Sequence, residues 1–321
     1  MDRRTFLLSS GALLPVMSSA QPRRTQTRSR LIVARRGGIA TDGGEIDADG
    51  LRELLGRGVA SWCDTSDPAE AWASVFGGSQ SVGIKVNCLG GWGMSTRPEL
   101  AGAARHWLAR AVASTRVVVW DRMCRELQSC GFAVSPREDD GRVLGTDWTG
   151  AGYEWEIRDH HSIGSRFSRI LTTLCDAQLN MPVAKDHGLC GVTGALKNWF
   201  GAIHNPNKWH MNQCDPYIAD LNDMPLVRSS QRLVVLDALL AQCHAGPAYN
   251  PRYRWAYGGL LISTDPVAVD TFLTRVIEDR REKLGLPSLR EDGRFPQYVA
   301  TAAGRGLGTD RLEDVDIVEV E

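Results

Sequence analysis

The chain has 321 residues, with 43% hydrophobic and 23% charged, so it can bury a large core and is neither disordered nor fibrous. Its 37 Lys plus Arg nearly balance 38 Asp plus Glu, and a formal net charge of −1 gives no global basic field, which argues against nucleic acid as a partner. The meaning of its eight cysteines depends on the compartment in which the chain works.

Arg3-Arg4-Thr5-Phe6-Leu7, an uncharged stretch from Phe6 to Met17 and the small residues Ser18-Ser19-Ala20 form the pattern of a twin-arginine (Tat) signal peptide over residues 1–20. That apolar stretch is shorter than the roughly 20 residues a membrane-spanning helix needs. No later stretch reads as a span either, so a periplasmic location is expected, with the Tat translocase as a partner during export and no transmembrane anchor. Residues 21–30 are polar and basic and read as a flexible N-terminus. Residues 31–321 are expected to form a single α/β domain.

Within that domain, short apolar runs rich in Val, Ile and Leu read as buried parallel strands: 81–88, 116–121, 177–184, 232–239 and 258–263. Helices alternate with them and carry start signals. Asp67-Pro68 precedes Trp72, Val75 and Phe76; Pro98 opens a run to Val112; Asp265-Pro266 precedes Val269, Phe272, Leu273 and Val276. The rhythm predicts an α/β fold, a mostly parallel sheet with helices on both faces. Residues 141–162 and 205–228 read as hairpin or loop insertions.

Ligands of open α/β sheets collect beyond the carboxyl ends of the strands, where this chain places Lys85, Asn87, Asp121, Lys185, His187 and Asp237. Arg97 stands at a helix start. The densest segment runs from Lys185 through Gly188, Gly191 and Gly194 into Lys197 and Asn198, with Thr193 as the predicted N-cap. Glycines and a helix N-terminus suit an anion such as phosphate or carboxylate, with Lys85, Lys185 and Lys197 as cations and Asn87, Arg97, Thr193, Gly194, Asn198 and Lys208 as further binding residues. His187 and Lys185 are the expected acid–base groups, with Asp121 or Asp237 orienting them. Trp92, Trp199 and Trp209 are the indoles best placed to line such a site.

His187, Cys190, His210 and Cys214 offer imidazole and thiolate ligands for zinc or iron, although their spacing fits no known finger. A Cys190–Cys214 disulfide beside surface histidines is the alternative. No C-x-x-C occurs, so a chain-encoded ferredoxin-type iron–sulfur cluster lacks its usual ligand run. His160-His161, beside Asp159, is a second metal candidate and reads more simply as a hydrogen-bonded surface pair.

The segment 185–201 resembles the family described as domain of unknown function 362, whose members share a K-x-H stretch, a T-G-A-L-K-N run and a nearby lysine and histidine. Here these are Lys185 and His187, residues 193–198, and Lys208 and His210. Similar pieces are Lys85-Val86-Asn87, Thr96-Arg97-Pro98-Glu99, Asp237, Gly246-Pro247 and residues 264–270, so the likeness covers about residues 81–286. The resemblance implies a shared α/β domain with a polar site. It also brings in iron–sulfur association, because some members carry ferredoxin-like modules. Three functions follow: an exported enzyme acting on an anionic small molecule; a redox or metal-centre protein with an electron-transfer partner; and a solute-binding protein without turnover.

Overall fold

The computed structural model describes residues 28–112, 116–137 and 142–321. The twin-arginine leader and residues 21–27 lie outside the described residues. The next residues already belong to the fold, because β1 (Ser29–Arg35) takes in Ser29 and Arg30. In chain order follow α1 (Ala48–Trp62), α2 (Pro68–Phe76), β2 (Ser81–Lys85), α3 (Pro98–Ala111), β3 (Arg116–Asp121), α4 (Cys124–Ser129), β4 (Arg142–Gly145), and a hairpin of β5 (Arg158–His160) and β6 (Ile163–Ser165). Next come β7 (Ala177–Asn180), β8 (Val183–His187), β9 (Gly191–Thr193), α5 (Ala195–Asn198), α6 (Tyr217–Asp223), α7 (Pro225–Ser230), β10 (Gln231–Gln242), β11 (Arg254–Ser263), α8 (Pro266–Lys283), α9 (Gln297–Gly304) and β12 (Val315–Val320).

One mixed sheet organises these elements in the order β12-β1-β11-β10-β7-β2-β3-β4, with β8 and β9 attached beside β10. The block β10-β7-β2-β3-β4 is parallel throughout. The expected parallel strand at 258–263 is corrected: β11 runs antiparallel to both β1 and β10. Alternating residues feed two cores. Leu31 and Val33 face a layer holding Leu196, Ile218 and Leu273, whereas Ile32 and Ala34 face a layer holding Leu51, Trp72 and Leu100. Helices α1 to α4 therefore cover one face and α5 to α9 the other, as an α/β fold requires.

Local chemistry explains the boundaries. The Asp67 carboxylate accepts from Ala69 N, and Asp265 accepts from Val267 N and Ala268 N, each with proline at the first helical position. The single strand expected over 177–184 divides at Met181-Pro182, since proline has no N–H to give the ladder. β7 pairs with the start of β10 and β8 with its later part, and Asp237 N donates to the Pro182 carbonyl at the break.

The two expected insertions differ from their prediction. Gly141 lies outside the described residues, and residues 142–145 form the edge strand β4 before the hairpin begins at Arg158. Residues 205–228 fold into short 3-10 turns and the helix α6, not a hairpin. Among the described residues no helix is long and apolar enough to cross a membrane.

Candidate functional site

The strands β2 and β3 end side by side, so Lys85 and Asp121 meet in the interior. The Lys85 ammonium donates to Asp121 Oδ1 at 2.7 Å, to the Val86 carbonyl at 2.7 Å and to Asn198 Oδ1 at 3.3 Å. Asp121 Oδ2 accepts from Cys88 N at 2.7 Å, so both carboxylate oxygens are engaged. Gly201 permits this packing: a Cβ there would lie 2.8 Å from Lys85 Nζ and 2.9 Å from Asp121 Oδ1. Asn198 ties the ends of β2 and β7 together, accepting from Asn87 Nδ2 at 3.1 Å and donating to the Lys85 carbonyl at 3.1 Å and Asn180 Oδ1 at 2.8 Å.

These groups floor a pocket of about 580 Å³ whose wall includes Asn87, Lys185, His187, Thr193, Lys197 and His210. Lys185 is fully buried and donates to Asn87 Oδ1 at 3.0 Å and the Met94 carbonyl at 3.2 Å. Neither partner is a carboxylate, and burial pushes the ammonium down to about 8. Lys197 contacts His210 Nε2 at 3.0 Å and lies 4.4 Å from the centre of the Phe200 ring. Among the described residues, neither Lys185 nor Lys197 has a carboxylate in ion-pair reach.

The two histidines are held in defined tautomers by their neighbours. Leu189 N donates to His187 Nδ1 at 3.2 Å, which leaves the proton on Nε2. Burial, reinforced by Lys197 and further cations, pushes His187 down to about 2, so its imidazole is neutral. His210 presents Nδ1 to the Pro206 carbonyl at 3.1 Å, so that nitrogen donates and Nε2 accepts from Lys197. The two rings stack at 5.6 Å. The Thr193 hydroxyl, on the same wall, is buried with no hydrogen-bond partner among the described residues.

Nine of the sequence-selected residues thus line one pocket: Lys85, Asn87, Asp121, Lys185, His187, Thr193, Lys197, Asn198 and His210. Others lie elsewhere. Asp237 is a buried backbone cap that accepts from Arg97 N at 2.8 Å and Leu239 N at 3.0 Å, and burial pushes it up to about 6. Arg97 points to the Trp92 carbonyl and ring. Lys208 donates to the Gly164 carbonyl at 3.1 Å, outside the pocket wall. Gly194, not Thr193, is the N-cap of α5, and the start of that short helix is already filled. Asp270 of α8 accepts from Ala195 N at 2.6 Å and Leu196 N at 3.1 Å, and a Cβ on Gly194 would strike its carboxylate. The anion cannot bind at that helix end. Trp199 is buried against Gln231, and none of the three selected indoles lines the pocket.

The four-ligand metal set is also corrected. His187 and His210 face the pocket, whereas Cys190 and Cys214 are sealed in the core, where the Cys190 thiol points to the Val192 carbonyl at 3.9 Å. A His187 Nε2 that carries its proton, with Nδ1 already accepting from Leu189, offers a metal no free lone pair. All eight cysteines are free thiols in this structure, Cys190 and Cys214 included.

Several pocket residues were not assigned to the site from the sequence, although some of them lie in the segments singled out there. Leu89, Leu189, Phe200, Pro206 and Pro247 supply apolar wall, and Arg122 pairs with Glu126 at its edge. The turn signature Asn205-Pro206-Asn207 just before His210 was the available signal for the outer wall.

Fold and pocket together define an α/β protein with a cation-rich cavity at its strand ends. The chain belongs to the family described as Domain of unknown function (DUF362), whose sequence profile matches residues 82–275. A search of curated proteins gives no match. A crystal structure of a Thermotoga maritima protein from the Northeast Structural Genomics Consortium is similar, with a TM-score of 0.42 and 11% identity over 73% of this chain. This chain spans 59% of the length of that one.

Proposed function

We propose that this chain is an exported protein whose pocket binds an anionic small molecule of the carboxylate or phosphate class and acts on it as an enzyme. The observation that carries this reading is the pair of ammonium groups, Lys185 and Lys197, that face one cavity, neither with a carboxylate in ion-pair reach among the described residues. Two cations left unpaired in a partly desolvated pocket are costly, and an anion removes that cost. The neutral His187 adds an N–H donor. Lys185, with a value of about 8, takes the acid–base role in place of His187, because it can lose and regain a proton near neutral pH. Lys85 and Asp121 neutralise each other and serve as the floor. The twin-arginine pattern of residues 3–7 supports export through the Tat pathway to the periplasm.

The test is a titration of the protein with inorganic phosphate, sulfate, acetate and succinate, read by calorimetry and thermal shift. One anion class binds the wild type. Lys185→Ala, Lys197→Ala and His187→Ala each weaken that binding roughly 10- to 100-fold, the loss of one charge-assisted hydrogen bond. Unchanged affinity in all three variants overturns the reading. Tight retention of an anion with no chemical change in it identifies a solute-binding protein instead.

A further inference from the structure

A second cluster lies where the β5–β6 hairpin meets α6. Neighbouring side chains on an extended strand point to opposite faces, yet His160 and His161 face the same group here. The reason is the left-handed backbone of His161, with φ of 51°, at the hairpin turn. It brings the two rings to 4.1 Å between centres. His160 Nε2 lies 3.0 Å and His161 Nε2 3.3 Å from the same oxygen, Asp223 Oδ2. The partner carboxylate belongs to α6, not to the neighbouring Asp159.

The hydrogen bonds at this point cannot all be satisfied together. Arg305 Nη1 stands 3.3 Å from His161 Nε2, and a guanidinium only donates. If His161 Nε2 accepts from Arg305, its lone pair also faces the Asp223 oxygen, acceptor against acceptor. If Nε2 carries the proton, two donors face each other across the Arg305 contact. A cation between the imidazoles and the carboxylate removes the imidazole–carboxylate part of this conflict, because all three donor atoms then direct lone pairs at it, and Arg305, anchored on Asp220 through Nη2, has to turn its Nη1 away from His161.

The distances suit a small ion. Ligands at the zinc–nitrogen and zinc–oxygen lengths of about 2.0–2.1 Å in a tetrahedral shell stand about 3.3 Å apart. The two measured separations, 3.0 and 3.3 Å, approach that edge, and all three donor atoms lie within 4.8 Å of one another. The two nearby guanidiniums have other anchors. Arg305 is held by Asp220 at 2.7 Å, and Arg228 binds Asp223 through the other oxygen, Oδ1, at 3.2 Å.

We infer that His160, His161 and Asp223 bind a first-row divalent ion of the zinc class, with solvent in the open position beside the exposed His161. The ion clamps the hairpin to α6. Its reach extends to the pocket wall, since Ser165 of the hairpin donates to the His204 carbonyl at 2.9 Å and the Gly164 carbonyl accepts from Lys208 at 3.1 Å. The segment so held carries Pro206, Asn207 and His210.

Zinc chloride alone, titrated by calorimetry into the tag-free, metal-stripped protein, tests the site. One equivalent binds, and cobalt(II) in its place gives the visible absorption of a low-coordinate ion. His161→Ala and Asp223→Asn each weaken zinc binding at least about tenfold and remove the cobalt bands. His161 is exposed, so His161→Ala keeps the fold, and an unchanged near-ultraviolet dichroism spectrum verifies it. The double variant His187→Ala/His210→Ala keeps the full equivalent. No zinc bound by the wild type, unchanged binding in His161→Ala, or loss of the ion only in the pocket double variant each overturns the inference.

Discussion

Along β8, Lys185 and His187 face the pocket, and Asp186 between them faces the other way into a closed set of charges. There Asp186 binds Arg294 at 2.9 Å and Gly246 N at 2.8 Å, Arg294 also binds Asp292 at 3.1 Å, and Asp292 in turn binds Arg281. Two arginines and two aspartates balance, and His244 Nδ1 takes further N–H bonds from Arg281 at 3.1 Å and Arg294 at 3.3 Å. The pocket side buries similar charge and leaves it unbalanced: Lys85 has Asp121, while Lys185 and Lys197 have only neutral partners among the described residues. One face of the strand is complete by itself. The other is complete only with something bound, and that contrast separates structure from function within three consecutive residues.

The largest effect should come from unbalancing the closed face. Asp186→Ala leaves the buried Arg294 without its main partner and should cost about 3–5 kcal/mol in urea unfolding. A loss below about 1 kcal/mol would mean that this network is not what holds β8 to the loop at 292–294.

The open face predicts an effect of opposite sense. The folded Lys185 sits at about 8 against an ordinary 10.5, so between those values the unfolded chain holds more protons and stability rises with pH. Below about pH 8 the penalty is fully present, on the order of 3 kcal/mol, and it is relieved as pH climbs towards 10.5. Unfolding followed from pH 7 to 10.5 should therefore show a gain in the wild type that Lys185→Met lacks. Equal slopes would show that Lys185 is not strained by its setting. The smallest effect belongs to Thr193→Val, which removes a hydroxyl with no partner and should shift unliganded stability by less than about 1 kcal/mol while weakening the bound anion.

Much of this was legible in the sequence, for reasons of range. The caps at Asp67 and Asp265 act on N–H groups two or three residues away, so a local pattern is enough to find them. Lys85, Asp121, Lys185 and His187 could be grouped because polar residues at strand ends share one edge of a parallel sheet. The same pattern also included Asp237, and nothing local reveals that its carboxylate is spent on Arg97 N, 140 residues away. The anion site assigned to the start of α5 failed likewise, because Asp270 reaches it across 75 positions. Cys190 and His187 are neighbours in sequence. Which of them would face the cavity was decided by the β8–β9 turn, and spacing alone does not encode that.

The hydrogen bond from Leu189 N to His187 reaches beyond the imidazole it fixes. With that proton settled on Nε2, His187, Lys185 and Lys197 all turn hydrogens towards the cavity. These three groups welcome lone pairs and offer a hydroxyl hydrogen no acceptor while Lys185 keeps its proton. The wall therefore reads the ionisation of its guest: a conjugate base fits, and the same molecule as its neutral acid meets hydrogen with hydrogen. A weak acid should thus be captured only on the alkaline side of its own pKa, which makes the cavity a discriminator of protonation as much as of shape.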